Sequence, residues 1–142
     1  MDKKLVLEVT IKINASIAKV WDAFINPETI KKYMFGTNVI SDWTEGSQIL
    51  WRGEWEGRSY EDKGKIIRFI PQKILQYSYY SSMSGMPDIP ENYHNITIEL
   101  QDKHNSAIVT LKQINISTEQ AKAHSEKNWE MLLLSLKRLL EN

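Results

Sequence analysis

The chain has 142 residues, a length typical of one globular domain, and we expect residues 1–142 to form a single domain. Its 18 basic and 18 acidic residues cancel, so the composition indicates neither a nucleic-acid-binding protein nor a polybasic membrane protein. The sequence contains no cysteine, which excludes disulfides, thiolate metal sites and a cysteine nucleophile.

The first structural signal is a strand followed by a helix. Residues 5–13 alternate between apolar and polar side chains, the period-two pattern of a strand with one buried face. At Asn14 the period changes to that of a helix, which Ser16 is placed to cap. Four apolar side chains then share one helical face: Ile17, Val20, Trp21 and Phe24.

A second, shorter helix is predicted directly after the first. Asn26 precedes Pro27, and the residue before a proline is disfavoured in the α region, so the first helix ends there. Pro27 suits the first turn of a new helix, which Gly36 stops. This second helix directs three side chains inward: Ile30, Tyr33 and Met34.

From residue 38 to 115 the sequence predicts an antiparallel meander, because short alternating runs are separated by turn residues such as Glu45-Gly46 and Glu56-Gly57. The predicted strands include residues 49–51, 58–69, 74–80, 93–100 and 107–114. Residues 81–92 contain one Gly, two Pro and three Ser, so they cannot join the ladder. We expect them to form a mobile loop at one mouth of the fold.

The C-terminal segment is predicted to be one long helix. Ser117, with Gln120 three residues later, matches a capping box. An apolar stripe follows at helical spacing: Trp129, Leu132, Leu133, Leu136 and Leu140. Met131 and Leu134 point away from that stripe, so we expect either a monomer or a weak homodimer that pairs through this outer face.

The order of these elements predicts an α+β fold, with a sheet of six or seven antiparallel strands packed against the long helix. The N-terminus lacks a signal-peptide pattern, and no run approaches the roughly 20 apolar residues of a membrane helix. We therefore expect no membrane span and a cytoplasmic location.

The residue types that usually carry chemistry form no recognisable motif. His94, His104 and His124 lack metal-ligand spacing, and we expect them to be solvated or hydrogen-bonded. The glycines form neither a dinucleotide-binding motif nor a phosphate loop. Acidic pairs such as Glu61 and Asp62 flank turns or strand starts, where a solvated rim is expected. The sequence thus assigns no catalytic residue, no metal site and no cofactor.

The 5 Trp, 6 Tyr and 3 Phe residues are the one group of residues whose pattern suggests a binding site. Trp51 and Trp55 share one strand face, with Gly53 removing bulk between them, and Tyr77 and Tyr79 share a face of another strand. One interpretation is that these rings fill an ordinary hydrophobic core. The other is that they line a pocket, because one helix is too small to fill the concave side of a large curved sheet. The pattern alone leaves both interpretations open.

Three segments resemble the START-like (SRPBCC) superfamily. Residues 15–30 are similar to its opening helix pair around Val-Trp-Asp-Ala-Phe, and residues 64–71 to its Gly-x-Ile-x-x-x-x-Pro strand. Residues 109–113 followed by 128–137 are similar to the branch named for the activator of heat-shock-protein-90 ATPase. The resemblance covers nearly the whole chain in the same element order.

This resemblance implies a helix-grip fold, in which a curved sheet wraps the C-terminal helix, two short helices follow the first strand, and a cavity lies between sheet and helix. The side chains implied to face that cavity are Trp21, Phe24, Trp51, Tyr77, Tyr79, Gln113 and Trp129. We add Trp55, which shares the strand face of Trp51.

The expected function is binding of an apolar or aromatic small molecule in this cavity, without a cofactor. The superfamily also implies two alternatives: a chaperone-associated interaction module, and a cyclase or hydrolase of the same fold. Full-length chaperone activators carry a further N-terminal domain, which we do not expect in this chain.

Overall fold

The computed structural model describes residues 5–141, within which it has seven strands, three α-helices and one short 3₁₀ helix. The strands are β1 (Leu5–Ile13), β2 (Asn38–Ser41), β3 (Gln48–Trp55), β4 (Arg58–Ile70), β5 (Ile74–Tyr79), β6 (His94–Asp102) and β7 (Ala107–Ile116). The helices are α1 (Ile17–Ile25), α2 (Pro27–Tyr33) and α3 (Glu119–Glu141), and the 3₁₀ helix covers Pro90–Asn92. The α+β class and the predicted element order are confirmed.

The seven strands form one antiparallel sheet in the order β1-β7-β6-β5-β4-β3-β2. From β2 to β7 each strand pairs with the next along the chain, which is the predicted meander. β1 joins at the other edge by pairing with β7, in a register that places Ile13 opposite Ala107. The sheet is curved and α3 packs against it, mainly on β1. This arrangement is the helix-grip fold.

The first strand and the first helix form as the sequence patterns predict. Leu7, Val9 and Ile13 on one face of β1 are buried. The Ser16 hydroxyl accepts a hydrogen bond from the Lys19 amide at 3.2 Å, so it caps α1. Trp21 on the inner face of α1 is buried as well.

α2 follows α1 without a loop. The Asn26 side-chain oxygen accepts a hydrogen bond from the Glu28 amide at 3.0 Å, and Pro27 occupies the first turn. At the other end the Gly36 amide donates to the Lys31 carbonyl at 3.0 Å, which closes a Schellman-type turn. The residue in the left-handed position of that turn is Phe35, with φ of 55°.

α3 begins one residue later than the predicted capping box. The Thr118 hydroxyl, rather than Ser117, accepts the hydrogen bond from the Ala121 amide at 3.0 Å. The capping-box prediction is therefore wrong in its residue, although the helix itself is confirmed. Leu133 and Leu136 form the buried centre of its stripe, while Trp129 is only partly buried.

The hydrophobic core lies between the sheet and the helices, and buried residues come from every strand and helix apart from the 3₁₀ turn. None of the helices within residues 5–141 combines the length and the apolar character that crossing a bilayer requires.

Candidate functional site

A small cavity lies where α1, α2 and α3 meet the inner face of the sheet. Its volume is about 20 Å³, room for about one water molecule. Within the described part of the chain, thirteen side chains line it, and all are apolar or aromatic: Phe24, Ile30, Tyr33, Met34, Val39, Trp43, Ile49, Trp51, Leu75, Tyr77, Ile98, Trp129 and Leu132. The interior is thus nearly filled by its own side chains, with one small space in an apolar surrounding.

Four of the predicted site residues line this cavity: Phe24, Trp51, Tyr77 and Trp129. The Trp51 and Tyr77 rings lie 5.1 Å apart between centroids at 49°, so they contact each other directly. This contact joins β3 to β5 across β4 and forms the floor of the cavity.

Three other predicted residues are not among those that line the cavity. Trp21 packs edge-on against Phe69 at 5.4 Å between ring centroids, and Tyr79 packs edge-on against Trp51 at 5.0 Å. Gln113 is buried, and its Oε1 accepts a hydrogen bond of 2.7 Å from the Trp129 indole. The backbone of Trp55 pairs with Arg58 at the end of β3, and its side chain lies outside the described part of the chain.

Gly53 does not open space for a ligand. A Cβ at this position would lie 2.6 Å from the hydroxyl of Tyr60, its cross-strand partner in the β3–β4 hairpin. The Tyr60 hydroxyl is in turn 2.6 Å from the Thr37 hydroxyl, which holds the ring in place. The space that the sequence suggested was left for a pocket is filled by Tyr60.

Asp62 lies inside the protein rather than on the solvated rim that we expected. Its side chain is only 8% exposed, and its carboxylate accepts hydrogen bonds from the Tyr79 hydroxyl at 2.6 Å and from the Ser82 amide at 2.8 Å. The Ser82 hydroxyl donates a third at 3.1 Å. This carboxylate therefore ties the start of the 81–92 loop to the inner side of β4 and β5.

The 81–92 loop carries further attachments along its length. The Tyr80 hydroxyl donates to the Met86 carbonyl, and the Tyr93 hydroxyl donates to Asp88 at 2.6 Å. Asp88 also forms an ion pair with Lys63 on β4, which lowers the pKa of the Asp88 carboxyl. The loop forms as predicted, with more attachments than its composition indicates, and its mobility stays a prediction.

Burial raises the pKa of three interior tyrosines. The pKa values of Tyr33 and Tyr79 lie well above 10.0, mainly because burial removes their hydroxyl groups from water. The Tyr33 hydroxyl donates to the Ala23 carbonyl at 2.7 Å and is thereby satisfied. Burial also raises the pKa of Tyr77, which lines the cavity. The hydroxyl groups of these three tyrosines are therefore neutral at neutral pH.

Two polar atoms on neighbouring residues of β6 are buried without a hydrogen-bond partner in the described chain: Nδ1 of His94 and Oδ1 of Asn95. The expectation that the histidines are solvated or hydrogen-bonded therefore fails for this nitrogen of His94. Within residues 5–141, no three His, Cys, Asp or Glu side chains come together as a metal site would need.

Some residues of the cavity wall were not predicted from the sequence. Trp43, which follows β2 in a left-handed conformation with φ of 57°, lines the cavity although no periodic pattern includes it. Tyr33 and Met34, which were predicted to point inward from α2, also line the cavity. The sequence patterns did not connect this helix face with the aromatic residues of the strands.

A family model, described as "Activator of Hsp90 ATPase homolog 1-like protein", matches residues 14–141. The chain belongs to this family. A protein from Cytophaga hutchinsonii with a solved structure is 54% identical to this member, over 100% of this chain and 97% of that chain, with a TM-score of 0.87. The resemblance seen in the sequence is therefore confirmed.

Two more distant structures share the fold of this family member. The Aha1 dimer from Colwellia psychrerythraea is 24% identical, with 96% of each chain covered and a TM-score of 0.74. CalU16 from Micromonospora echinospora is 20% identical, with 95% of this chain and 75% of that chain covered and a TM-score of 0.76. A comparison with curated proteins finds no match.

Proposed function

We propose that this member of the Hsp90 ATPase activator-like family binds a small apolar or aromatic molecule between the sheet and α3. The observation that carries the proposal is the central cavity, because the lining side chains that the structure describes are all apolar or aromatic. Such a surrounding suits an apolar ligand, because transfer of apolar surface out of water is favourable at roughly 25 cal/mol per Å².

The cavity must widen to hold any ligand larger than water, and its two walls differ in how readily they can move. Ile49, Leu75 and Tyr77 on the sheet side are buried, and so are three helix residues of the lining, whereas Met34 and Trp129 are only partly buried. We expect the ligand to displace Met34 and Trp129, since buried residues are held on more sides.

The Tyr77 hydroxyl gives the ligand a preferred chemistry. Tyr77 lines the cavity, and its raised pKa keeps its hydroxyl neutral, so that the hydroxyl can both donate and accept a hydrogen bond. A ligand with one hydroxyl or carbonyl group on an apolar body can satisfy it, which a pure hydrocarbon cannot.

The test is a thermal-shift and native mass-spectrometry screen with apolar and aromatic compounds. We expect stabilising compounds to lose affinity about tenfold in Tyr77→Phe if they carry the polar group. Tyr33→Phe is the matched control, since the Tyr33 hydroxyl already donates to Ala23 and ligand affinity should stay unchanged. The absence of any stabilising compound of these classes would argue against the proposal.

Membership of the family favours a second candidate, a chaperone-associated module. Its test is the ATPase rate of the Hsp90-type chaperone from the same source, with and without this protein. Stimulation that persists in a variant with a filled cavity, such as Val39→Ile, would assign the interaction to the surface and leave the cavity a separate role.

We also propose a single domain over residues 1–142, a cytoplasmic location, and either a monomer or a weak homodimer that pairs through the outer face of α3. Met131 and Leu134 on that face are 53% and 40% exposed.

A further inference from the structure

A second concave region, which we call the outer cleft, lies on the face of the sheet opposite to the central cavity. It crosses β4, β5 and the first residues of β6, between the start of β3 and the end of the 81–92 loop. Its volume is about 660 Å³, and small-molecule sites typically have volumes of about 300–1,000 Å³. The outer cleft is therefore large enough for a small organic molecule without any rearrangement.

Three polar side chains from neighbouring strands line the floor of the outer cleft: Lys65 of β4, Ser78 of β5 and Asn95 of β6. Ser78 pairs with Asn95 across β5 and β6. The Ser78 hydroxyl accepts a hydrogen bond from the Lys65 amide at 3.0 Å, which joins it to β4. The strand neighbours Tyr77 and Ile96 are buried in the core, and successive residues of a strand face opposite sides. The three polar side chains thus form one row on the outer face.

The loop wall of the outer cleft is held in place by side chains. Asp88 accepts a hydrogen bond from the Tyr93 hydroxyl at 2.6 Å and forms an ion pair with Lys63. The Tyr93 ring stacks on Tyr80, with ring centroids 5.3 Å apart at 28°. From β7 the Asn115 side-chain amide donates to the Tyr93 carbonyl at 2.7 Å. A wall that is ordered before a ligand arrives reduces the entropy lost on binding, so these contacts favour a binding site.

The floor has charge and hydrogen-bonding capacity that the chain does not use. Oδ1 of Asn95 is buried without a hydrogen-bond partner in the described chain, which is unfavourable unless a ligand supplies a donor. The Ser78 hydroxyl accepts from Lys65 and still has its own proton to donate. Lys63 is paired with Asp88, whereas Lys65 is exposed and forms no ion pair among residues 5–141. The lining therefore has one uncompensated positive charge.

We propose that the outer cleft binds a small hydroxylated organic acid, with its carboxylate at Lys65 and Ser78 and its hydroxyl group at Asn95. One ammonium group matches the single charge of a carboxylate, whereas a phosphate ester has a second charge that the lining does not balance. Neighbouring strands lie about 4.8 Å apart, so β4 and β6 are separated by about 10 Å. One aromatic ring with a polar group at each end spans that distance with its two hydrogen bonds. Ile67 and Pro90 line the same cleft and supply apolar contacts for the ring.

The first experiment is an NMR titration of the full chain with three probes: para-hydroxybenzoate, benzoate, which lacks the hydroxyl group, and para-hydroxybenzyl alcohol, which lacks the charge. We expect saturable shifts at the backbone amides of Lys65, Ser78 and Asn95, with each of the two reduced probes binding about fivefold more weakly. Equal affinity for the three probes, or no saturable shift at these amides, overturns the proposal.

The same spectra separate this site from the proposed function of the central cavity. Shifts confined to amides around that cavity, such as Val39 and Ile49, would support the cavity function and overturn the outer cleft. Shifts confined to the outer cleft would support this proposal and leave the cavity function to its own screen. Inorganic phosphate is the remaining probe, and tighter binding of phosphate than of para-hydroxybenzoate at the outer cleft overturns the assignment to an organic acid.

The variant Lys65→Gln tests the charge. Lys65 is exposed, so the unfolding midpoint should stay unchanged while the affinity for para-hydroxybenzoate falls about fivefold and the affinity for the neutral alcohol stays the same. Lys73→Gln is the matched control, since Lys73 is an exposed lysine in the turn between β4 and β5, outside the cleft lining. No loss in Lys65→Gln, or an equal loss in the control, overturns the proposal.

The variant Asn95→Leu tests the hydroxyl contact, because leucine has a similar size and lacks the amide. We expect the about fivefold preference for para-hydroxybenzoate over benzoate to disappear, while the affinity for benzoate itself stays the same. Thr97→Leu is the matched control: Thr97 lies two residues further along the same face of β6, outside the cleft lining. A preference that persists in Asn95→Leu, or that is lost equally in Thr97→Leu, overturns the proposal.

Discussion

The indole Nε1 of Trp129 donates a 2.7 Å hydrogen bond to Oε1 of the buried Gln113, and this bond connects α3 to β7 at the edge of the central cavity. Trp129→Phe keeps most of the apolar contact but leaves the Gln113 oxygen without its donor. We expect a loss of about 1–3 kcal/mol in the free energy of unfolding. Chemical denaturation measures it, with Met131→Ala on the exposed face as the control near zero.

Trp129→Ala removes the ring as well as the hydrogen bond. The ring is only partly buried, so the cost should fall at or below the lower end of the about 3–5 kcal/mol typical of buried tryptophan. A loss below about 1 kcal/mol would show that α3 is not packed on the sheet as described.

Gly53 and Gly64 exclude a side chain for different reasons, and their alanine variants should differ in cost. In Gly53→Ala the new methyl group meets the end of the Tyr60 side chain, so we expect about 1–3 kcal/mol of destabilisation. In Gly64→Ala the methyl meets the Ser78 carbonyl of the backbone, and the loss should be larger. Thermal unfolding of both variants tests this order.

A Tyr60→Phe background sharpens the Gly53 test. The Tyr60 hydroxyl is the nearest atom to the added methyl, so the cost of Gly53→Ala should shrink when that hydroxyl is absent. An unchanged cost in the double-mutant cycle would assign the conflict to the Tyr60 ring, whose nearest carbon lies 2.8 Å from the added methyl group.

Asp62→Ala should release the start of the 81–92 loop. The substitution removes the acceptor of three hydrogen bonds, from the Tyr79 hydroxyl and from the amide and hydroxyl of Ser82. We expect about 2–3 kcal/mol of destabilisation and faster amide exchange in residues 81–92 than in the wild type. Asp88→Ala, which removes an exposed ion pair, is the control, and it should affect exchange without comparable destabilisation.

Alkaline pH should destabilise the protein through its interior tyrosines. Tyrosine ionises near 10.0 in the unfolded chain, while burial holds the pKa of Tyr77 higher in the folded state. Above pH 10.0 the unfolded chain therefore binds fewer protons than the folded one, so stability is present below that pH and decreases as the pH rises. Denaturation curves should show a shallower alkaline decrease in Tyr77→Phe, and an identical decrease would contradict the assignment.

Self-association should be abolished by charges on the outer face of α3. Met131→Lys combined with Leu134→Lys places two positive charges on a surface that is exposed in the monomer, so the fold should persist. Sedimentation should show a weak dimer for the wild type only. A wild type that stays monomeric at high concentration, or a variant that dimerises equally, would exclude this face.

The elements of the fold were predictable because their signals are local. Alternation over residues 5–13, the Ser16 cap and the Asn26-Pro27 break each lie within a few residues of the structure that they specify. Thr118 shows the limit of such signals, since Ser117 and Thr118 are adjacent hydroxyl residues that both fit a cap, and in the structure Thr118 is the one that accepts the hydrogen bond.

The site was less predictable, because its contacts join distant parts of the chain. In the sequence Asp62 resembles a surface residue, because it lies beside Glu61. Its hydrogen-bond partners inside the protein, Tyr79 and Ser82, are 17 and 20 residues later in the chain. Gly53 next to two tryptophans is equally consistent with a pocket and with a neighbour that fills the space. Which of the two holds depends on the strand face on which Tyr60 lies in the β3–β4 hairpin. That face is set by the register of the two strands and not by the composition.

The pairing of β1 with β7 has a consequence for how the protein is made. Leu7 finds its partner Gln113 only after roughly a hundred further residues have been added, which at about 5–20 residues per second takes several seconds. During that time the apolar face of β1 has no strand beside it. The first strand therefore stays unpaired while the ribosome synthesises the rest of the chain. We expect chaperones that bind nascent chains to contact it before the last helix emerges.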